Sequence, residues 1–155
     1  MSDIEYRVYE GMPDDEVLGW VVTMSVELFG FGGDVTELKS SLLGKEQIHT
    51  VVALDAGQHV GFKIGYKQRP HYFESWMGGV MPDARRRGIA DEFQRRQHAW
   101  CVEQGFRIVT TITSGDNAPM LILNLRHGYT VVGTFLDRGK HLKVILQKRL
   151  EHEDC

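Results

Sequence analysis

Hydrophobic and polar positions recur along the chain with two periods, and the places where one period gives way to the other mark the predicted elements. Ile4 to Tyr9 alternates as a short strand. The period then lengthens. Gly11-Met12-Pro13-Asp14-Asp15-Glu16 places proline at a helix start with acids in the first turn, and Val17, Trp20, Val21, Met24 and Leu28 form one apolar stripe. Gly30, Gly32 and Gly33 end that helix, and Asp34-Val-Thr-Glu37 has the spacing of a capping box for a short second helix through Leu38 and Leu42. Ile48 to Leu54 and Val60 to Tyr66 read as strands joined across Asp55-Ala56-Gly57. Val60, Phe62, Ile64 and Tyr66 keep period two, so the pair is predicted to be an antiparallel hairpin.

A third strand of this central group, Tyr72 to Met81, runs into a helix from about Gly88 to Glu103, whose stripe is Ile89, Ala90, Phe93, Gln97, Trp100 and Cys101. Gly105 stops it. A β-branched strand from Arg107 to Thr113, a helix from Asn117 to His127, and strands Thr130 to Leu136 and His141 to Gln147 complete the pattern. The order βααβββαβαββ predicts the α/β class, with a mixed sheet covered by helices on both faces.

At 155 residues and 42% hydrophobic content the chain has the size and core material of a single domain, residues 1–155. A formal charge of −3 supplies no general attraction to nucleic acid or to an anionic membrane, so neither is an expected partner. No apolar run approaches the length of a membrane span, and Met1-Ser-Asp-Ile-Glu-Tyr6 lacks the features of a signal peptide, which points to the cytoplasm. Two cysteines, Cys101 on a helical stripe and Cys155 at the end, do not make a disulfide framework. The seven histidines show no metal-ligand spacing, so no metal is expected.

Chemistry concentrates in Val80-Met81-Pro82-Asp83-Ala84-Arg85-Arg86-Arg87-Gly88-Ile89-Ala90, where a strand end, three guanidinium groups and a glycine meet a helix start. Such a turn aims backbone N–H groups and the positive end of a helix dipole at one point, which makes it an anion site. A solvated basic helix entrance is the competing reading. Gly78 and Gly79 leave the preceding strand light in side chains and suggest a bulge or a close backbone approach. A nucleotide or dinucleotide site on this turn is disfavoured because neither G-x-G-x-x-G nor G-x-x-x-x-G-K-[ST] is present.

Arg85-Arg86-Arg87-Gly88-Ile89-Ala90 resembles the acyl-CoA-binding signature of the GCN5-related N-acetyltransferases, Arg/Gln-x-x-Gly-x-Gly/Ala directly after a strand. A second element, Asn117 through a helix to Gly128-Tyr129, follows at the family's distance, and the resemblance spans roughly residues 45 to 150. It implies a mostly antiparallel central sheet and acetyl-CoA as co-substrate, without a metal. The implied activity is acetyl transfer to a primary amine of a small molecule, peptide or protein. The alternative is a non-catalytic acyl-CoA binder of the same fold. Residues Arg85, Arg86, Arg87, Gly88, Ile89 and Ala90 are implied to hold the pyrophosphate, with Arg87 the side chain best placed to reach it. Gly79, Val80 and Met81 are implied to pair with the pantetheine, the N–H of Val80 or Met81 facing the thioester carbonyl.

Glu74, six residues before Val80, takes the place of the general base in relatives that use a glutamate, unless water relays the proton. Asn117, Met120 and Asn124 share a helix face toward the cofactor thiol. Many relatives have a tyrosine acting as general acid where Asn124 stands, and an amide cannot supply that proton. Asp14, Asp15, Glu16, Glu27, Asp34 and Glu37 would border the acceptor side, where they are helix-start acids on a solvated face or an attraction for a cationic amine. Trp76, Tyr66 and Phe31 are core or acceptor-pocket candidates. The open final strands leave room for a homodimer.

Overall fold

The computed structural model describes residues 3–150. Seven strands form one sheet in the order β1-β2-β3-β4-β5-β7-β6, made of β1 (Ile4–Glu10), β2 (Glu46–Asp55), β3 (Gln58–Arg69), β4 (Tyr72–Val80), β5 (Ile108–Ser114), β6 (Thr130–Leu136) and β7 (Leu142–Arg149). Helices α1 (Asp15–Phe29), α2 (Val35–Leu42), α3 (Ile89–Glu103) and α4 (Ala118–Arg126) cover it, with a 3-10 turn over Pro82–Ala84. All neighbours run antiparallel except β4 and β5, which are joined by the crossover helix α3 and lie parallel. The element order and the mostly antiparallel sheet are those predicted.

The termini of the elements follow from local chemistry. Asp14 caps α1 by accepting the N–H of Val17 at 3.0 Å, which puts Pro13 just before the cap and not inside the helix. Gly30 closes α1 in the left-handed region at φ 77°. Asp34 caps α2 on Glu37 N at 2.9 Å. Ala56 and Gly57 turn the β2–β3 hairpin with φ of 50° and 84°, the pair of positive values that matches the twist of a two-residue hairpin loop. Of the two alternatives for Gly78 and Gly79, close backbone approach holds, since a Cβ on Gly78 would lie 3.0 Å from Phe62 O. The bulge of β4 is not at Gly78–Gly79, which pair regularly with Lys63 and Phe62. It falls at Trp76, between the pairs Ile64↔Met77 and Gly65↔Ser75.

Two layers of core flank the sheet. On one face α1 and α2 bury Leu18, Val21, Met24 and Leu42 against Ile48, Val52, Phe62 and Ile64. On the other, Ile89 and Phe93 of α3 pack on Val51 and Ala53, and Cys101 packs with Phe73, Phe106, Val109, Tyr129 and Leu146. Cys155 lies outside the described residues. Among the described residues no helix is long and apolar enough to cross a membrane.

Two histidines are built into this core as neutral rings. His49 is buried against Trp100, and burial lowers it to about 4. His98 joins Tyr129 Oη at 3.1 Å and Lys148 Nζ at 3.1 Å; burial first, then the Lys148 charge, lowers it to about 3. Because Lys148 can only donate, the His98 Nδ1 accepts and its Nε2–H donates to the Tyr129 oxygen. Both rings take up a proton on unfolding in the window between about 6.5 and their folded values. Stability is therefore full above pH 6.5 and is lost as pH falls, by about 3 kcal/mol at pH 4 for His49 alone. Thermal melts from pH 7.5 to 4 should show a steep fall in Tm across this window, and a flat profile would show that the rings are not held neutral.

Candidate functional site

β4 and β5 pair at three positions only, Tyr72↔Ile108, Phe73↔Val109 and Glu74↔Thr110. Beyond them the strands diverge, spanned by one side-chain bond, Thr111 Oγ1 donating to Ser75 O at 2.9 Å. The divergence opens a cleft of about 700 Å³ at the carboxyl ends of the two parallel strands. Its walls are the end of β4, the end of β5, the start of α3 and one side of α4, with Leu28 and Phe29 of α1 at its rim. A crevice at the carboxyl ends of parallel strands is where open α/β sheets bind ligands.

The start of α3 is chemically distinct from the other helix starts. Asp14, Asp34 and Asn117 cap α1, α2 and α4 with a side-chain oxygen, the last on Met120 N at 3.3 Å. Gly88 at the start of α3 supplies none. The first N–H groups of α3 are left without that side-chain acceptor beside the cleft, where Gly88, Ile89 and Ala90 form part of the wall. Gly88 has φ 76°, and a Cβ there would meet nothing within 4 Å, so its open side can receive a ligand. An uncapped helix start facing a cavity is suited to a phosphate.

The arginines divide their work differently from expectation. Arg85 and Arg86 line the cleft, and the Nε of Arg85 donates to Val80 O at 3.2 Å, setting the exit of the strand. Arg86 adopts φ 64° to make the turn. Arg87, expected to reach a phosphate, is instead turned away: its Nη1 meets Asp55 Oδ2 at 2.7 Å with both side chains largely covered. The hairpin after β2 supplies a carboxylate that fixes Arg87 from outside the motif. Arg87 thus anchors the loop to the sheet.

On β4 the backbone decides which groups face the cleft. Met81 N–H donates to Val60 O at 2.8 Å, so Met81 bonds toward β3 and its N–H cannot serve as the second candidate donor. Antiparallel alternation then turns the N–H groups of Gly78 and Val80 to the splayed side, where no strand pairs with them. The N–H of Val80 thus faces the splayed side and that of Met81 does not; the Met81 side chain packs on the α1–α2 core. Gly79 lines the cleft, and a Cβ on it would lie 2.6 Å from Leu28 Cδ1, so α1 approaches β4 as closely as glycine allows.

From α4, Asn117, Met120 and Asn124 all line the cleft, as their spacing predicts. Asn124 is buried at 2% exposure. Its Oδ1 accepts from Gln94 Nε2 at 2.9 Å and its Nδ2 donates to Thr113 Oγ1 at 3.2 Å, tying α4 to α3 and β5. Glu74 is not brought to the cleft wall. It is the last paired residue before the divergence and lies beside Tyr66, half-buried, with its carboxyl raised by burial against the opposing effects of a Gln68 hydrogen bond and the Lys45 charge. Tyr129 is core, as its position suggests.

Three of the N-terminal acids have structural partners: Asp14 and Asp34 are caps, and Asp15 pairs with Lys39 at 3.2 Å. Trp76 lines the cleft, Tyr66 is buried beside it with ring centroids 5.9 Å apart, and Phe31 is 76% exposed. Sequence reasoning missed Leu28, Phe29, Lys63 and the end of β5. Lys63 alone carried a signal, a charge between Gly61 and Gly65 in the middle of a central strand.

No protein-family model matches the chain, and no curated protein matches it in sequence. Solved structures do. The ribosomal-protein-S18-alanine N-acetyltransferase from Escherichia coli superposes with a TM-score of 0.81 at 12% identity, covering 97% of this chain and 99% of its own. A chain of the NatC complex bound to Gag peptide and CoA gives 0.80 at 15% identity over 97% and 100%. The protein yncA from Salmonella typhimurium, solved with its cofactor acetyl-CoA, gives 0.71 at 14% over 96% of each chain. Such agreement across nearly whole chains, joined to the β4–β5 divergence, shows that this chain has the fold of the GCN5-related N-acetyltransferases.

Proposed function

We propose that the protein is an acetyl-CoA-dependent N-acetyltransferase, moving an acetyl group by direct attack of a primary amine on the thioester. The observation that carries the reading is the uncapped start of α3 opening into the wedge between β4 and β5. Similar structures include one named for action on an S18 alanine and one holding a Gag peptide with CoA, which supports a peptide or protein amine as acceptor, with a small-molecule amine the alternative.

In this reading the N–H groups at Gly88 to Ala90 hold the pyrophosphate, with Arg85 and Arg86 screening its charge. The cleft-facing groups of Gly78 pair with the pantetheine, and the Val80 N–H stabilises the oxyanion that forms on the thioester carbonyl. Asn117 and Met120 line the thiol end, and Asn124 positions α4 through Thr113 and Gln94. A free amine titrating near ~10.4 is mostly protonated at neutral pH, so attack needs a base. Glu74 fills that role through a bridging water, since it stands below the cleft wall, and its raised carboxyl is better matched to neutral pH than an exposed one.

The non-catalytic alternative draws on Asn124, which stands where the resemblance puts a proton-donating tyrosine. Thiol release from acetyl-CoA over a panel of amines separates the two readings.

Acetyl-CoA at a hundredfold over its Kd should raise Tm by about 5–10 °C. Ala90→Glu adds an acid to the first turn of α3, where the dipole tolerates it, but sets a negative charge against the phosphate. The variant should melt like wild type without ligand and lose the shift; retention of the full shift would move the phosphate site elsewhere. Glu74→Gln should lower kcat/KM by about 10²-fold or more and remove the acidic limb of its pH profile, because activity requires the ionised carboxylate and falls as pH drops through its raised pKa. An unaltered profile would transfer the base role to another group.

A further inference from the structure

Lys63 has no counterpart in the roles assigned above. It lies in the middle of β3 opposite Gly78 of β4, and it lines the cleft. Gly78 makes this placement feasible: a Cβ there would sit 3.3 Å from Lys63 Cγ and 3.4 Å from its Cα, so the stem of the lysine occupies the space over β4 that a side chain would fill. The pair is of the closer, non-hydrogen-bonded kind, which brings the lysine onto β4 at the edge of the divergence.

Most lysines carry their ammonium out to water along an apolar stem. Lys63 is half-buried instead, with no ion pair or hydrogen bond to its ammonium among the described residues, and burial alone lowers it to about 8. The helix packed above is polar in an unusual way. Gln94, Gln97 and His98 of α3 are buried against these strands, and Gln94 Oε1 and both amide atoms of Gln97 have no partner. Unpartnered polar atoms at this depth require a ligand group or water to complete them.

We propose that Lys63 is a catalytic acid that protonates the sulfur as the thioester breaks, the function that Asn124 cannot serve. The proposal rests on the acetyltransferase reading. The amine nitrogen forms a bond to the carbonyl carbon, and on collapse the C–S bond breaks with its electron pair going to sulfur. A proton passes from Lys63 Nζ to that sulfur, giving the free thiol and a neutral lysine. The proton shed by the acylated nitrogen leaves through the base to solvent, and solvent recharges Lys63. A cysteine thiol titrates near ~8.5 and a plain alkyl thiol higher, so transfer from this ammonium to the thiolate is favourable, and its charge stabilises the thiolate as it develops.

Charged and titratable groups also stand around Lys63. His98 of α3 feels the charge of Lys63, and it also meets Lys148 of β7 and His127 at the end of α4. Arg85 and Arg86 of the loop and Arg126 of α4 share the cleft wall. The carboxylate there, Asp91, is held by His127 at 2.7 Å and Arg126 at 3.0 Å. Burial favours the neutral amine, so the acid is lost and turnover falls as pH rises through about 8.

The test pairs chemistry on the wild type with two variants. Amine-reactive labelling followed by mass spectrometry should give Lys63 a titration midpoint near 8, and coenzyme A should block its labelling. Lys63→Met should bind acetyl-CoA with the wild-type thermal shift and lose thiol release on the order of 100-fold against the best amine of the panel. Lys63→Arg keeps the charge but cannot release a proton, so it should be equally slow and should lack the alkaline limb. Labelling that coenzyme A does not affect, wild-type turnover in Lys63→Met, or rescue by arginine would each overturn the assignment. Absence of thiol release from the wild type would instead defeat the acetyltransferase reading itself, and the proposal with it.

Discussion

The short parallel pairing between β4 and β5 is the constraint on which the rest of this structure depends. Parallel neighbours need a crossover, and α3 provides it, so the helix start falls at the carboxyl end of β4. The bulge at Trp76 bends β4 just beyond its last pair with β5, and from there the two strands part. Cleft, exposed strand groups and helix start are therefore one feature, set by where pairing stops. Had the ladder continued to Val80, the N–H groups of Gly78 and Val80 would have been spent on β5 and the cavity would be closed.

The loop that links β4 to α3 is held by opposite devices at its two ends. Arg85 returns to Val80 O, and Arg87 is bound by Asp55 from the neighbouring hairpin. Arg86 between them and Gly88 just after them take left-handed backbone values, which turns the chain so that the helix opens toward the cleft. Fixing the loop in advance matters for a phosphate site, because a preorganised set of donors loses little on binding. Only some of the positive charge in the motif is thus available to a ligand, and part of it is structural.

Much of this was legible in the order of residues. Period two in Phe62, Ile64 and Tyr66, period 3.6 in α1 and α3, and Asp or Asn before three of the helices are local signals, and local signals placed every element within a few residues. Arg87 and Met81 were misplaced because their partners, Asp55 and Val60, lie on strands distant in sequence, and no pattern within a motif reports such a contact. Of the two meanings the glycines offer, bulge or close approach, the second holds: their small size admits Phe62 O and Lys63 at Gly78 and Leu28 at Gly79. Lys63 was visible as a lone charge in a buried strand, but its meaning needed Gly78 beside it and the divergence next to that. Asn124 was correctly turned inward by its helical spacing, while its commitment to Gln94 and Thr113 belongs to tertiary packing.

Backbone amide resonances followed during a coenzyme A titration test the central claim most directly, since the account rests on main-chain donors at two separated places lining one cleft. Amides of Gly88 to Asp91 and of Gly78 and Val80 should shift together and saturate at one Kd, and adenosine 3′,5′-bisphosphate, which lacks the pyrophosphate and the pantetheine arm, should leave Gly78 and Val80 unmoved. Shifts confined to the surface arginines, with both sets of amides silent, would contradict the idea that the divergence of β4 and β5 forms the binding site.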